Sequence, residues 1–377
     1  MQLPTTLLVT NDFPPRVGGI QRTLEALWRV LPPERVSVLA PSGPEAAEYD
    51  RSSPFRVMRE SRDFLWPTPR FVHRLERAIR ECAAEVVLFG DAFPLAAVGP
   101  RLAASGTPYL VAAHGFDYWL SIVPGAHAML GWMTSRASRV PVMCSEFIAR
   151  TVRTAVPPHV PVSVLYPGAD IETFRPGLPT DDLRERYGIG SRPLVVCVSR
   201  LVARKGQDVL IRGMSQVRHR VPDATLLVVG AGPYEPTLRA LAAKAPAGSV
   251  VFTGQVSEEE LPRHYAVGDV FAMPCRTRLG GLEVEGWGNV FIEAAACGKP
   301  VIVGDSGGAR ESLVDGETGL LVNGTDAAVV ASAVGDLLGD PARAGAMGRA
   351  GRERVERDHD WPSIAARLGE WLRAAVA

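Results

Sequence analysis

Two series of short apolar runs, each run followed by a stretch with helical periodicity, constrain this chain more than any other feature. The first series holds Leu7–Thr10, Val36–Ala40, Val86–Phe89 and Tyr109–Ala113. The second holds Leu194–Val198, Thr225–Val229, Val251–Val256, Val270–Pro274, Pro300–Gly304 and Gly319–Val322. Such runs are too short for helices and apolar on both faces, which predicts parallel strands covered by helices on either side. Strand and helix in alternation place the chain in the α/β class, as two Rossmann-like, doubly wound domains. The turn-rich stretch Tyr166–Pro176 and the polar stretch Pro176–Arg192 part the two series and read as the linker. The expected domains are therefore 1–170 and 171–359, since a chain of 377 residues exceeds what one core usually serves.

Composition excludes several classes of function. Lys+Arg and Asp+Glu are both 41, so the formal charge is zero and no general nucleic-acid partner is expected. The five cysteines are odd in number and scattered, without the paired spacing of a zinc site, which fits a reducing compartment. The first ten residues lack the basic and long apolar regions of a signal peptide, and no apolar run is long enough to span a bilayer. A cytoplasmic protein is expected.

The chemistry concentrates in Gly280–Gly298, a glycine-rich loop that changes at Val290 into a short helical stretch ending before Gly298. A loop with Gly286 and Gly288 leading into a helix leaves the amides near Gly288, Asn289 and Val290 unpaired beside the positive end of a dipole, which suits phosphate. Glu285 and Glu293 flank that point. Carboxylates there would repel phosphate, so they read as acceptors for the hydroxyls of a nucleotide-sugar. Arg200, at the end of a strand, and Lys205, five residues on, offer a planar fork and a point charge for one diphosphate. Gly18 and Gly19 lie between the first strand and a helical stretch over Thr23–Val30, a second candidate anion cradle. No Gly-x-Gly-x-x-Gly is present there, which disfavours a dinucleotide cofactor. His114 directly follows a strand, where ligands gather in such sheets.

Glu285-x7-Glu293 after a glycine loop resembles the donor motif of the family 4 retaining glycosyltransferases of GT-B type. The likeness extends to Pro14-Pro15-x-x-Gly18-Gly19, Ala113-His114-Gly115, Tyr166-Pro167-Gly168-Ala169-Asp170 and Arg200 with Lys205-Gly206, in order along essentially the whole chain. The resemblance implies that Glu285 contacts the transferred hexose and Glu293 the ribose, that Arg200 and Lys205 hold the diphosphate, and that His114 approaches the sugar. It further implies that Gly18 and Gly19 lie where donor meets acceptor, that the base lies near Val256, and that the terminal helix, 360–377, packs back on the first domain. Within the family, the stretches Asn11–Gln21, Ser199–Val202, Arg204–Asp208 and Met273–Arg278 are similar to phosphatidylinositol mannosyltransferases that use GDP-mannose. That implies a lipid acceptor such as a phosphatidylinositol mannoside. No bound cofactor and no metal are expected, since no Asp-x-Asp motif is present. Two departures, Phe116-Asp117 and Trp287-Gly288-Asn289, are expected to touch the sugar and acceptor side.

An amphipathic helix is predicted over Pro69–Cys82, with Arg70, Arg74, Arg77 and Arg80 on one side and Phe64-Leu65-Trp66 just before it. With the aromatic stretch Phe116–Val123, it is the expected contact with an anionic membrane surface, on the inner face of the cell membrane. Two other functions share these features. One is transfer of a different nucleotide-sugar to a soluble or polysaccharide acceptor, and the other is epimerisation of a nucleotide-sugar.

Overall fold

The computed structural model describes residues 2–377. The chain divides into two compact units. The first runs to Pro167 and resumes at Trp361–Ala377, and the second is Gly168–Asp360.

The first unit contains β1 (Thr6–Val9), β2 (Val36–Pro41), β3 (Arg56–Glu60), β4 (Val86–Phe89), β5 (Tyr109–Val111), β6 (Val140–Val142) and β7 (Val162–Val164). The first five form a parallel sheet in the order β3-β2-β1-β4-β5. Leu8 is paired with Val38 on one side and Leu88 on the other, and all three are fully buried. β6 and β7 make a short parallel pair, tied to β5 through a bridge between Leu110 and Arg139. The helix Gly19–Val30 begins four residues before its sequence periodicity does, with Gly18 as its N-cap. The helix Pro69–Glu81 starts where Thr68 accepts a side-chain hydrogen bond from the Phe71 amide, and buries Phe71, Val72, Leu75 and Ala78. The terminal helix Trp361–Val376 buries Ile364, Leu368 and Leu372 in the same core as Leu8, Leu24 and Trp28. Each such side chain contributes about 1.5–3 kcal/mol, so this helix is an integral part of the first unit.

The second unit contains β8 (Leu194–Val198), β9 (Thr225–Val229), β10 (Val250–Gly254), β11 (Val270–Met273), β12 (Val301–Gly304) and β13 (Gly319–Val322). They form one parallel sheet in the order β10-β9-β8-β11-β12-β13. The stretch Pro176–Arg192, read as linker from its polarity, carries the helix Asp181–Arg186, anchored by the buried Leu183. Both large sheets are doubly wound, so each has a point where the strand order reverses: between β1 and β4, and between β8 and β11. Ligands bind outside the carboxyl ends of strands at such points. No helix among the described residues is long and apolar enough to cross a membrane.

Candidate active site

At the carboxyl end of β8 the chain turns sharply through Ser199–Gly206. Gly230 and Gly232 permit it, because a Cβ on either would lie 2.2 Å from the Ser199 carbonyl oxygen or 2.4 Å from that of Leu201. Arg200 leaves this turn exposed, with no hydrogen bond or ion pair to its guanidinium among the described residues. Lys205 ends a single 3-10 turn and is buried, and Gly206 follows with φ +79.

Glu285 comes to the same place from the glycine loop after β11. Its amide donates to Ser306 Oγ at 3.2 Å, and its carbonyl accepts from the Gly308 amide at 2.9 Å. Lys205 Nζ donates to Glu285 Oε2 at 2.7 Å, and Arg204 donates to the same oxygen. Burial alone would raise the Glu285 pKa, but the charges and hydrogen bonds of Lys205 and Arg204 outweigh it and hold the carboxyl below its ordinary value. Oε1 of Glu285 has no hydrogen-bond partner among the described residues. Two cations against one carboxylate leave this pocket with a surplus positive charge. Lys205, read from the sequence as a diphosphate ligand, is thus tied to the carboxylate assigned to the sugar.

The helix Asn289–Ala296 starts at Gly288, whose φ of +87 and Cβ position 2.6 Å from the Phe291 ring suit only glycine. The Phe291 amide turns back to the Gly288 carbonyl at 3.0 Å, while the amides of Asn289 and Val290 precede the helical ladder. Glu293 is buried one turn into this helix, and the Tyr265 hydroxyl donates to its Oε2 at 2.5 Å. Val256 stands two residues beyond β10, half-buried.

The remaining candidates lie on the first unit. Gly18 and Gly19 open its first helix, and a Cβ on Gly18 would meet Gln21 Oε1 at 2.3 Å. Gln21 in turn donates to Asp12 at 2.5 Å. His114 is buried beyond the end of β5 and its Nε2 bonds the Gly90 carbonyl at 2.8 Å, an arrangement in which Nε2 carries the proton. Burial pushes its pKa down to about 4, so the ring is neutral at pH 7 and Nδ1 is left as an acceptor. Asp117 Oδ2 accepts from the His114 amide at 2.6 Å, and burial pushes that acid up to about 7.

Trp287, expected on the sugar and acceptor side, is buried, its ring 5.6 Å from that of His359. One sequence reading is corrected: Arg74 is not free for lipid. It bonds Glu60 at 2.6 Å and lies 3.8 Å from Glu81, whereas Arg70, Arg77 and Arg80 are exposed. Three residues of the site escaped the sequence reading. Tyr265 lies in the helix Leu261–Ala266, where no motif marks it. Arg204 stands next to Lys205, where the spacing of Arg200 and Lys205 already satisfies a diphosphate. Asp208, buried at the start of the next helix, holds Arg276 at 3.0 Å and Arg212 at 2.8 Å. Its negative charge gave no sequence signal of burial. No group of His, Cys, Asp or Glu suited to a metal ion occurs among the described residues.

Two family models match the chain: Glycosyltransferase Family 4 over residues 17–173 and Glycosyl transferases group 1 over residues 179–354. Over 97% of both sequences, the chain is 46% identical to the GDP-mannose-dependent alpha-(1-6)-phosphatidylinositol monomannoside mannosyltransferase of Mycolicibacterium smegmatis. It is 40% identical, over 98% of both, to the Corynebacterium glutamicum enzyme named for the monoacylated form of that acceptor. Among solved structures, Anabaena HepE in complex with UDP and glucose superposes with a TM-score of 0.81 at 19% identity, covering 98% of this chain and 100% of HepE. Sucrose-phosphate synthase of Thermosynechococcus elongatus does so with 0.76 at 23%, covering 98% of each. At these identities the two structures establish the fold.

Proposed function

We propose, for a chain that belongs to the family 4 glycosyltransferases of GT-B type, that it moves mannose from GDP-mannose to a phosphatidylinositol mannoside. Supporting the donor and acceptor are the names of relatives that match nearly end to end. One observation carries the chemistry: Glu285, buried with one oxygen unbonded, is held by Lys205 and Arg204 of the loop that follows β8 and also carries Arg200, at the reversal point of the second sheet.

In this reading Arg200 and Lys205 take the diphosphate, and the amides of Asn289 and Val290 at the helix start after Gly288 add donors to it. Positive charge fixed in place before the reaction stabilises the negative charge that grows on the leaving group. Glu293, oriented by Tyr265, accepts from the ribose hydroxyls, and Val256 lies toward the base. Glu285 Oε1 accepts from a mannose hydroxyl, and the Nδ1 lone pair of His114 accepts from another. Gly18 and Gly19 keep the backbone slim where donor and acceptor meet. The anomeric carbon loses its bond to the phosphate oxygen and gains one to the acceptor oxygen on the same face. The acceptor's proton passes to the departing phosphate, so configuration is retained without a covalent enzyme intermediate or a metal.

The protein works as a peripheral protein on the inner face of the cell membrane. Support comes from the exposed Arg70, Arg77 and Arg80 on one helix and from the exposed Phe64, Trp66, Phe116 and Trp119. Incubation with GDP-mannose and phosphatidylinositol monomannoside, with the lipid products separated and their anomeric linkage read by NMR, tests the proposal. A dimannoside with an α linkage and stoichiometric GDP is expected. Altered nucleotide-sugar in the absence of acceptor would instead establish an epimerase, and transfer only to soluble saccharides would overturn the lipid acceptor.

A further inference from the structure

We propose that Arg204 is the positioning residue that keeps Glu285 ionised and aimed while Lys205 is drawn to the donor's diphosphate. This rests on the reading that Lys205 serves the diphosphate and Glu285 the transferred sugar.

The geometry sets the problem. A single oxygen of Glu285 receives both Lys205 and Arg204, and the carboxylate is nearly sealed from water. If Lys205 were its only counter-ion, turning the ammonium toward a diphosphate would strip a buried carboxylate of its charge partner. The carboxyl would then take up a proton. Arg204 removes that conflict. Its planar guanidinium presents its donors in a pre-organised fork and holds the carboxylate oxygen without help from the ammonium.

Arg204 is also held from behind, independently of Glu285. Its carbonyl accepts from the Arg276 amide at 2.8 Å, and the Arg276 guanidinium is fixed on the buried Asp208 at 3.0 Å. The backbone that carries Arg204 is therefore anchored to the loop after β11, whatever Lys205 does. The division of labour follows: the mobile cation follows the phosphate and the anchored one guards the carboxylate.

The pH dependence of kcat reports groups in the substrate complex, where Lys205 is engaged with phosphate and Arg204 alone faces Glu285. Arg204→Gln should therefore raise the acidic limb of the kcat profile by about 1–3 pH units. GDP affinity should change little, and Arg204→Lys should return most of the limb toward wild type. Lys205→Gln should lose on the order of a hundredfold in kcat with its acidic limb unmoved. An unmoved limb in Arg204→Gln, or a limb that rises in Lys205→Gln, overturns the role of Arg204. The second arm decides the matter even if Arg204→Gln fails to fold. Full turnover in Lys205→Gln would instead refute the diphosphate reading on which the proposal rests.

Discussion

Replacing Gly206 by alanine tests whether contact between two loops, rather than charge alone, sets the position of Lys205. Gly206 has φ +79, and a Cβ there would lie 2.0 Å from the Pro274 carbonyl oxygen. Ordinary contact begins near 3.4 Å, so one of the two backbones must move by about 1.4 Å. Left-handed backbone on a residue with a Cβ costs roughly 1–2 kcal/mol. Overpacking adds about 1–3 kcal/mol, and here both partners are main chain, so relief through a side-chain rotamer is closed off. A total of about 3 kcal/mol, at a slope of roughly 3 kcal/mol per molar urea, lowers the unfolding midpoint of the second unit by about 1 M. The catalytic effect is larger than a stability loss at low urea can explain. Lys205 adjoins Gly206, and a misplacement near 1 Å commonly costs about a hundredfold in turnover. Urea denaturation followed by circular dichroism gives the first number and steady-state GDP release the second. A variant with wild-type midpoint and wild-type turnover would show that the Gly206–Pro274 approach does not position Lys205.

Arg200→Ala should lower kcat on the order of a hundredfold while weakening nucleotide-sugar binding far less, and a steady-state assay with near wild-type turnover would contradict the diphosphate assignment. Glu293→Gln should weaken GDP binding, and Glu285→Gln should leave it nearly intact while impairing transfer; equal losses by calorimetric titration would contradict the division between ribose and hexose. Tyr265→Phe should resemble Glu293→Gln in milder form, because a hydrogen bond to a charged group contributes about 1.5–3 kcal/mol, and unaltered GDP affinity would remove Tyr265 from the site. Replacing Arg70 and Arg77 with glutamine should weaken binding to anionic vesicles by about 2 kcal/mol, or roughly 30-fold, at moderate salt. Co-sedimentation identical to wild type would reject that helix as the membrane contact.

The fold was legible in sequence wherever a strand is buried on both faces. β1, β2, β4, β5, β8, β9, β11 and β12 announce themselves as predominantly apolar runs because they are buried between layers of helices, and the partly buried edge strands β10 and β13 keep an apolar sequence too. β3 escaped notice: as an edge strand with sequence Arg-Val-Met-Arg-Glu it faces water on one flank and carries the charges that discourage further pairing. β6 is interrupted by Pro141, and β7 reads Val-Ser-Val and is only half-buried, so neither makes a continuous apolar run. The helix start after Gly288 was readable from glycine chemistry, but the contacts of Glu285 were not. Its partners Arg204 and Lys205 precede it by about eighty residues, and their meeting depends on β8 and β11 being neighbours across the reversal point. Trp287 shows the opposite limit. A large side chain in a glycine loop invites a functional reading, yet here it fills a space against His359.

The terminal helix gives the molecule an order of assembly. Residues Ile364, Leu368 and Leu372 complete the core begun by Leu8 and Trp28, so the portion of the chain synthesised first is finished last. The second unit, Gly168–Asp360, is by contrast a closed insertion whose two ends meet, with the Ala169 amide donating to the His359 carbonyl at 3.0 Å. It can reach its native sheet on a ribosome before the first unit has all its parts. Until residues 361–377 emerge, the nascent first unit leaves exposed the apolar side chains that this helix will cover. A stop codon that removed only the final helix would spare every residue of the donor site and still deny the enzyme half of its structure.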